Sequence, residues 1–155
     1  MRLSWIGKIW IYGLALGLTA CGFNGEELRK YLPVEVANAP SLYNESDILF
    51  CAVSIYQVPD EMEFQQFPLT KPRRSTTDWL RLPVGENIDF GSFAAQALYD
   101  GDDCFDREAM RITGLDELSD YYSSERQGFF VELRHDLILV HDTELDLIII
   151  SSRAR

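Results

Sequence analysis

The sequence predicts an α+β domain, an antiparallel sheet of about four strands with a C-terminal β-hairpin and helices on one face. Three observations predict it. Residues 47–58, DILFCAVSIYQV, are rich in β-branched and aromatic side chains and too evenly apolar for a surface helix. Residues 128–152, GFFVELRHDLILVHDTELDLIIISS, first alternate Phe129, Val131 and Leu133 against Glu132 and Arg134, then give two solidly apolar runs. Between these strand signals, FGSFAAQALYDG places Phe90, Phe93, Ala94 and Ala97 at helical spacing.

Taken in order, EELRKYLP has the length for one or two helical turns before Pro33, and VEVANAPSLYNESD reads as extended or looped chain. Residues 47–58 form the first confident strand and carry Cys51. From Pro59 to Val84, four prolines and the run KPRR predict a long irregular crossing. A helix follows over 90–99, with Gly101 expected to end it in the left-handed conformation. DREAMRIT fits either a further turn or a short strand, and GLDELSDYYSSERQG reads as a short amphipathic helix closed by Gly128. Cys104 falls in the loop between these helical stretches. Leu137–Val140 and Leu145–Ile150 are expected to pair as a hairpin through a turn near Asp142, Thr143 and Glu144, beside the strand that starts at Phe129.

The first twenty-one residues follow a different logic. Arg2 and Lys8 precede an uncharged run from Ile9 to Leu18, about ten residues, whereas crossing the hydrocarbon core takes roughly twenty. This is the layout of a signal-peptide apolar region. It ends in Leu18-Thr19-Ala20-Cys21. The segment resembles bacterial lipoprotein precursors, whose lipobox is an apolar residue, two small residues and a cysteine. The resemblance implies cleavage before Cys21, a diacylglyceryl thioether on its thiol and acylation of the new amine. Gly22, rather than Asp, after the cysteine implies in a Gram-negative host release to the outer membrane, facing the periplasm. An ordinary cleaved signal and an uncleaved anchor are the other readings of this segment. The layout expected is therefore a leader over 1–20, a lipidated cysteine and extended tether over 21–46, and one domain over 47–155. No family resemblance is seen beyond residue 21.

Charge and cysteine count narrow the partners. The chain has 14 Lys and Arg against 25 Asp and Glu; losing a leader that holds only Arg2 and Lys8 leaves a formal charge of −13. Nucleic acid is disfavoured as a partner, because binding phosphates needs a basic surface. Contact with the membrane is expected through the lipid on Cys21 alone. Of three cysteines, two then remain, Cys51 and Cys104. Outside the cytoplasm two thiols in a small domain are expected to form a disulfide, two buried free thiols being the other reading.

Chemical motifs are few. His135 and His141, each followed by Asp, would lie about 20 Å apart on a strand and could not share a metal ion. The acidic run DGDDCFD offers Asp100, Asp102, Asp103 and Asp106, but the fifth, sixth and twelfth positions of an EF-hand loop would be Cys104, Phe105 and Arg111. It reads as a solvated loop, and neither a metal site nor a cofactor is assigned. Lys71, Arg73, Arg74 and Arg81 gather around Trp79 against the global charge. Lys71, Arg73, Arg74 and Trp79 are therefore the expected contact for an envelope protein partner, with internal pairing and packing as the plainer alternative. Nucleophile, zinc-protease and phosphate-loop motifs are absent, so no catalytic residue is assigned. The function expected is that of a lipid-anchored interaction or accessory protein of an envelope complex. The alternative is a small envelope enzyme or a ligand- or metal-binding protein.

Overall fold

The computed structural model describes residues 25–47, 51–59, 68–134 and 136–153. The expected lipobox with Cys21, and His135, lie outside the described residues. The strands are β1 (Ser41–Asp47), β2 (Cys51–Gln57), β3 (Leu80–Arg81), β4 (Gly128–Leu133), β5 (Leu137–Asp142) and β6 (Leu147–Ser152). They form one antiparallel sheet in the order β1-β2-β6-β5-β4-β3. The fold is α+β as expected, with six strands in place of about four. The two unexpected strands lie at the edges. β1 is largely exposed and polar, so it carries little apolar pattern to read. β3 is only two residues long and sits inside the proline-rich crossing. The stretch expected as one strand over 47–58 divides: Asp47 ends β1 and pairs with Cys51, which begins β2.

Every residue of β5 and β6 is buried, as the apolar runs Leu137–Val140 and Leu147–Ile150 demand, and the polar ends His141, Asp142, Ser151 and Ser152 are buried with them. Side chains alternate between two cores. Val53, Ile55, Phe130, Ile138, Val140 and Ile149 face one, and Ala52, Tyr56, Val131, Leu139, Ile148 and Ile150 face the other. Helices α2 (Phe93–Gly101) and α3 (Arg107–Thr113), with the 3-10 turn Leu118–Tyr122, cover the first face. That turn stands where an amphipathic helix up to Gly128 was expected.

The second face is covered as well. The short helix α1 (Gly25–Leu28), two 3-10 turns and the crossing segment supply Leu28, Tyr31, Val36, Ala39 and Leu69. Residues 28–39, expected to be tether, are thus a core layer. Arg29 Nη1 donates to the carbonyls of Ala37 (3.2 Å) and Ala39 (2.9 Å), and its guanidinium lies 5.0 Å from the Tyr56 ring centre. Helices on one face is therefore correct for α2 and α3 only. A sheet apolar on both sides requires two covering layers.

Capping explains the helix limits. Ser92 accepts from Ala95 N (3.1 Å) at the start of α2, and Asp106 accepts from Glu108 N (2.8 Å) and Ala109 N (3.2 Å) at the start of α3. Gly101, expected to be left-handed, has φ −65° and leads on into a 3-10 turn over Asp102–Cys104. Its role is close approach, since a β-carbon there would collide with Ser151 and Leu118. Ser151 Oγ donates to Ala97 O (2.5 Å) at the same contact. The left-handed stop is Gly114, φ 65°, after α3.

Cys51 and Cys104 are joined by a disulfide, Cα to Cα 5.9 Å, which fastens β2 to the helical layer. Tyr43 of β1 donates its phenol hydrogen to Cys104 O (2.6 Å), and burial pushes its pKa up to about 12. Closing a loop across 53 residues is expected to contribute ~4 kcal/mol by restricting the unfolded chain. The Cys51→Ala/Cys104→Ala variant should lose that amount in urea unfolding, and reductant should weaken the wild type alike. A loss below ~1 kcal/mol would show that the bond does not restrict the unfolded chain in this way.

Candidate functional site

Helix α2 distributes side-chain size in an unusual way. Its inner stripe is Ala94, Ala97, Leu98 and Gly101, at the i, i+3, i+4, i+7 spacing of a buried face. These small residues let the backbone settle closely on β5 and β6. The large rings are turned outward: Phe90 and Phe93 are each 59% exposed and Tyr99 is 38% exposed. Phe90 and Phe93, expected to face the core with Ala94 and Ala97, thus face solvent. Phe90 stands edge-on to Tyr99 and Tyr122, centroids 4.9 and 5.8 Å away, and Tyr99 lies 5.8 Å from Tyr122. The Arg153 guanidinium lies 5.0 Å from the Phe93 ring centre, with its Nε 3.8 Å from Asp100 Oδ2. Burial, then the neighbouring Tyr122, Asp102 and Glu117, raise the Tyr99 phenol above its ordinary range. Sequence reasoning missed this surface, although the stripe of small residues was a readable signal that the rings must point away.

The basic loop is spent mainly on the fold. Lys71 Nζ is 2.7 Å from Asp78 Oδ1, an exposed pair that holds the Asp78 carboxyl below its usual range. The Arg74 guanidinium lies 5.5 Å from the centre of the Tyr31 ring, and Trp79 packs half-buried against the second core. Thr70 donates both its amide, at 2.8 Å, and its hydroxyl to Glu35 Oε1. Burial would raise the Glu35 pKa, but these hydrogen bonds outweigh it and lower it. Arg73 is exposed. The loop therefore lies beside the N-terminal layer, on the sheet face opposite α2.

The second histidine of the sequence is at the heart of the molecule. His141 on β5 is fully buried, and desolvation, only partly opposed by the Asp142 charge, pushes its pKa down to about 4. Asp142 is fully buried too. One carboxylate oxygen accepts from Tyr121 Oη (2.8 Å) and Arg126 Nη1 (3.0 Å), the other from the amides of Glu144 (3.0 Å) and Leu145 (3.2 Å). Arg126 Nη2 in turn donates to Thr113 O (2.9 Å). This carboxylate closes the β5–β6 turn and ties it to α3 and the 3-10 turn at Tyr121, a structural duty inaccessible to substrate.

The acidic run separates by task. Asp102 accepts from Ser119 N (3.0 Å) and burial raises its pKa, whereas Asp106 caps α3. No group of three or more metal-ligating side chains is assembled among the described residues. A cleft of about 500 Å³ opens between the start of α2 and the β4–β5 turn, lined in part by Thr76, Phe93, Glu132 and Arg134. Burial raises the Glu132 carboxyl there. The cleft offers a small polar ligand two carboxylates, Glu132 and Asp136, and the Arg134 guanidinium.

Comparison with protein families, with curated proteins and with solved structures finds no match to this chain.

Two outcomes follow from the buried pair. Asp142→Ala leaves Arg126 and the Tyr121 hydroxyl without their acceptor and should destabilise by about 3–5 kcal/mol. Adding Tyr121→Phe and Arg126→Met should recover part of that loss in urea unfolding. His141 has a folded-state pKa of about 4, below the unfolded value of 6.5, so the unfolded chain takes up the proton first. Its contribution to stability is whole above pH 6.5 and falls as the pH drops towards 4, by at most about 3 kcal/mol. His141→Asn should flatten that part of the stability-against-pH curve, and an unchanged curve would remove His141 from it.

Proposed function

We propose that this chain is a lipid-anchored envelope protein that serves as an interaction or accessory subunit. The carrying observation is the Cys51–Cys104 disulfide. It accounts for two of three cysteines, supports an oxidising compartment, and leaves Cys21 of the Leu18-Thr19-Ala20-Cys21 sequence as the remaining thiol. Two or three acyl chains at Cys21 would hold the protein stably on a membrane, each buried methylene contributing about 0.8 kcal/mol. With Gly22 next in the chain, that membrane is the outer membrane on its periplasmic side.

The arrangement of the domain supports an interaction role. The chain enters through α1 on one sheet face, whereas the exposed aromatic residues lie on the opposite, α2 face. A protein tethered by its N-terminus would thus present its rings away from its point of entry. Contiguous exposed rings are the commoner mark of a protein contact than of a reaction centre. Of the residues expected to contact the partner, Arg73 has the greatest freedom to do so; Lys71, Arg74 and Trp79 have intramolecular contacts.

The test is metabolic labelling with an alkynyl fatty acid in a Gram-negative host. Wild type should take up the probe and lose residues 1–20, and Cys21→Ser should remain unlabelled. Mature wild-type protein that carries no label would overturn the anchor.

A further inference from the structure

We infer that the aromatic cluster beside α2, formed by exposed Phe90 and Tyr99 with the half-buried Tyr122 within an acidic rim, is a docking surface for an arginine- or lysine-bearing segment of an envelope protein partner. This rests on the interaction role proposed above, and is independent of the lipid.

Exposed rings are the first observation. A short helix that buries Ala94, Ala97 and Gly101 while exposing Phe93 and Tyr99 reverses the usual economy of a soluble domain, in which large apolar groups go inside. Phe90, Tyr99 and Tyr122 stay clustered at 4.9–5.8 Å, so they form one surface, whereas Phe93 lies under Arg153.

The rim selects the partner. Asp102 and Glu117 act on the Tyr99 hydroxyl, Asp100 is beside Phe93 through Arg153, and Glu86 and Asp89 line a shallow hollow with Ile88 on the approach to Phe90. Ring faces attract cations, and carboxylates around them deepen the attraction. Anionic lipid or an acidic protein would be repelled by the same groups.

The molecule already holds one example of this contact. Arg153 lies over Phe93 with a carboxylate 3.8 Å away. A partner's arginine over Phe90 or Tyr99 would repeat that geometry. The basic loop of a second copy is a poorer occupant, because Lys71 is paired with Asp78 and Arg74 is seated on Tyr31.

The test titrates the full-length protein, in an uncharged detergent, with a capped pentapeptide carrying two arginines around a tryptophan, followed by NMR of the aromatic side chains. Shifts should concentrate on Phe90, Tyr99 and Tyr122. Affinity should fall at least about fivefold between ~50 and ~500 mM salt, as screening of exposed charges requires. Phe90→Ser with Tyr99→Ser, and separately Asp102→Asn with Glu117→Gln, should each weaken binding by a similar factor, with circular dichroism confirming the fold. Equal binding of a peptide with glutamates for arginines, shifts elsewhere on the protein, or preference for phosphocholine vesicles over the peptide would each overturn the inference. Cys21→Ser should leave peptide binding unchanged, so failure of the anchor and failure of this surface are read separately.

Discussion

The constraint on which the rest of the structure depends is that β5 and β6 are apolar on both sides. Leu137 to Val140 and Leu147 to Ile150 place a branched or long aliphatic side chain at every position, so neither face of the central sheet tolerates water. A chain of this length must then find two covering layers. It makes one from α2, α3 and the 3-10 turn at Tyr121, and the other from residues 28–39 and the crossing through Leu69 and Trp79.

Polar groups are admitted to this interior on strict terms. Asp142 is buried at the end of β5, where the hairpin reverses, and it is stable there because four donors converge on its two oxygens. Two of these contacts hold the β5–β6 turn itself, and the other two, from Tyr121 and Arg126, reach 21 and 16 residues back along the chain. The disulfide does comparable work at the other end of the sheet, where Cys104 also receives the Tyr43 hydroxyl and so draws the edge strand β1 inward. Sheet and helical layer are therefore fastened at two places, one ionic and one covalent.

Close packing has a consequence for the surface. Because Gly101 lies against Ser151 and Leu118, the inner stripe of α2 has room only for small side chains, apart from Leu98. The aromatic residues of this segment are displaced to solvent, where acids surround them. The feature that gives the domain a candidate docking face thus originates in the tight fit of a helix on a sheet. The basic loop shows the converse: its cations stand out in the sequence, yet Lys71 and Arg74 are drawn into contacts with Asp78 and Tyr31.

The sequence by itself determined the α+β class, the central strands and their hairpin and the helix near residue 93, because each rests on local periodicity, and by count it led to the expected pairing of Cys51 with Cys104, which the structure shows. The resemblance of Leu18-Thr19-Ala20-Cys21 to a lipobox likewise rests on local order alone. Only the tertiary structure decided that β1 and β3 extend the sheet, since edge strands are polar or very short and leave no apolar period to read. It likewise decided that residues 28–39 are core, that Gly101 serves close approach instead of a left-handed turn, and that Phe90 and Phe93 point outward. Helical spacing shows that side chains share a face; which face meets the sheet depends on the space left beside Ser151, a residue some fifty positions further along the chain.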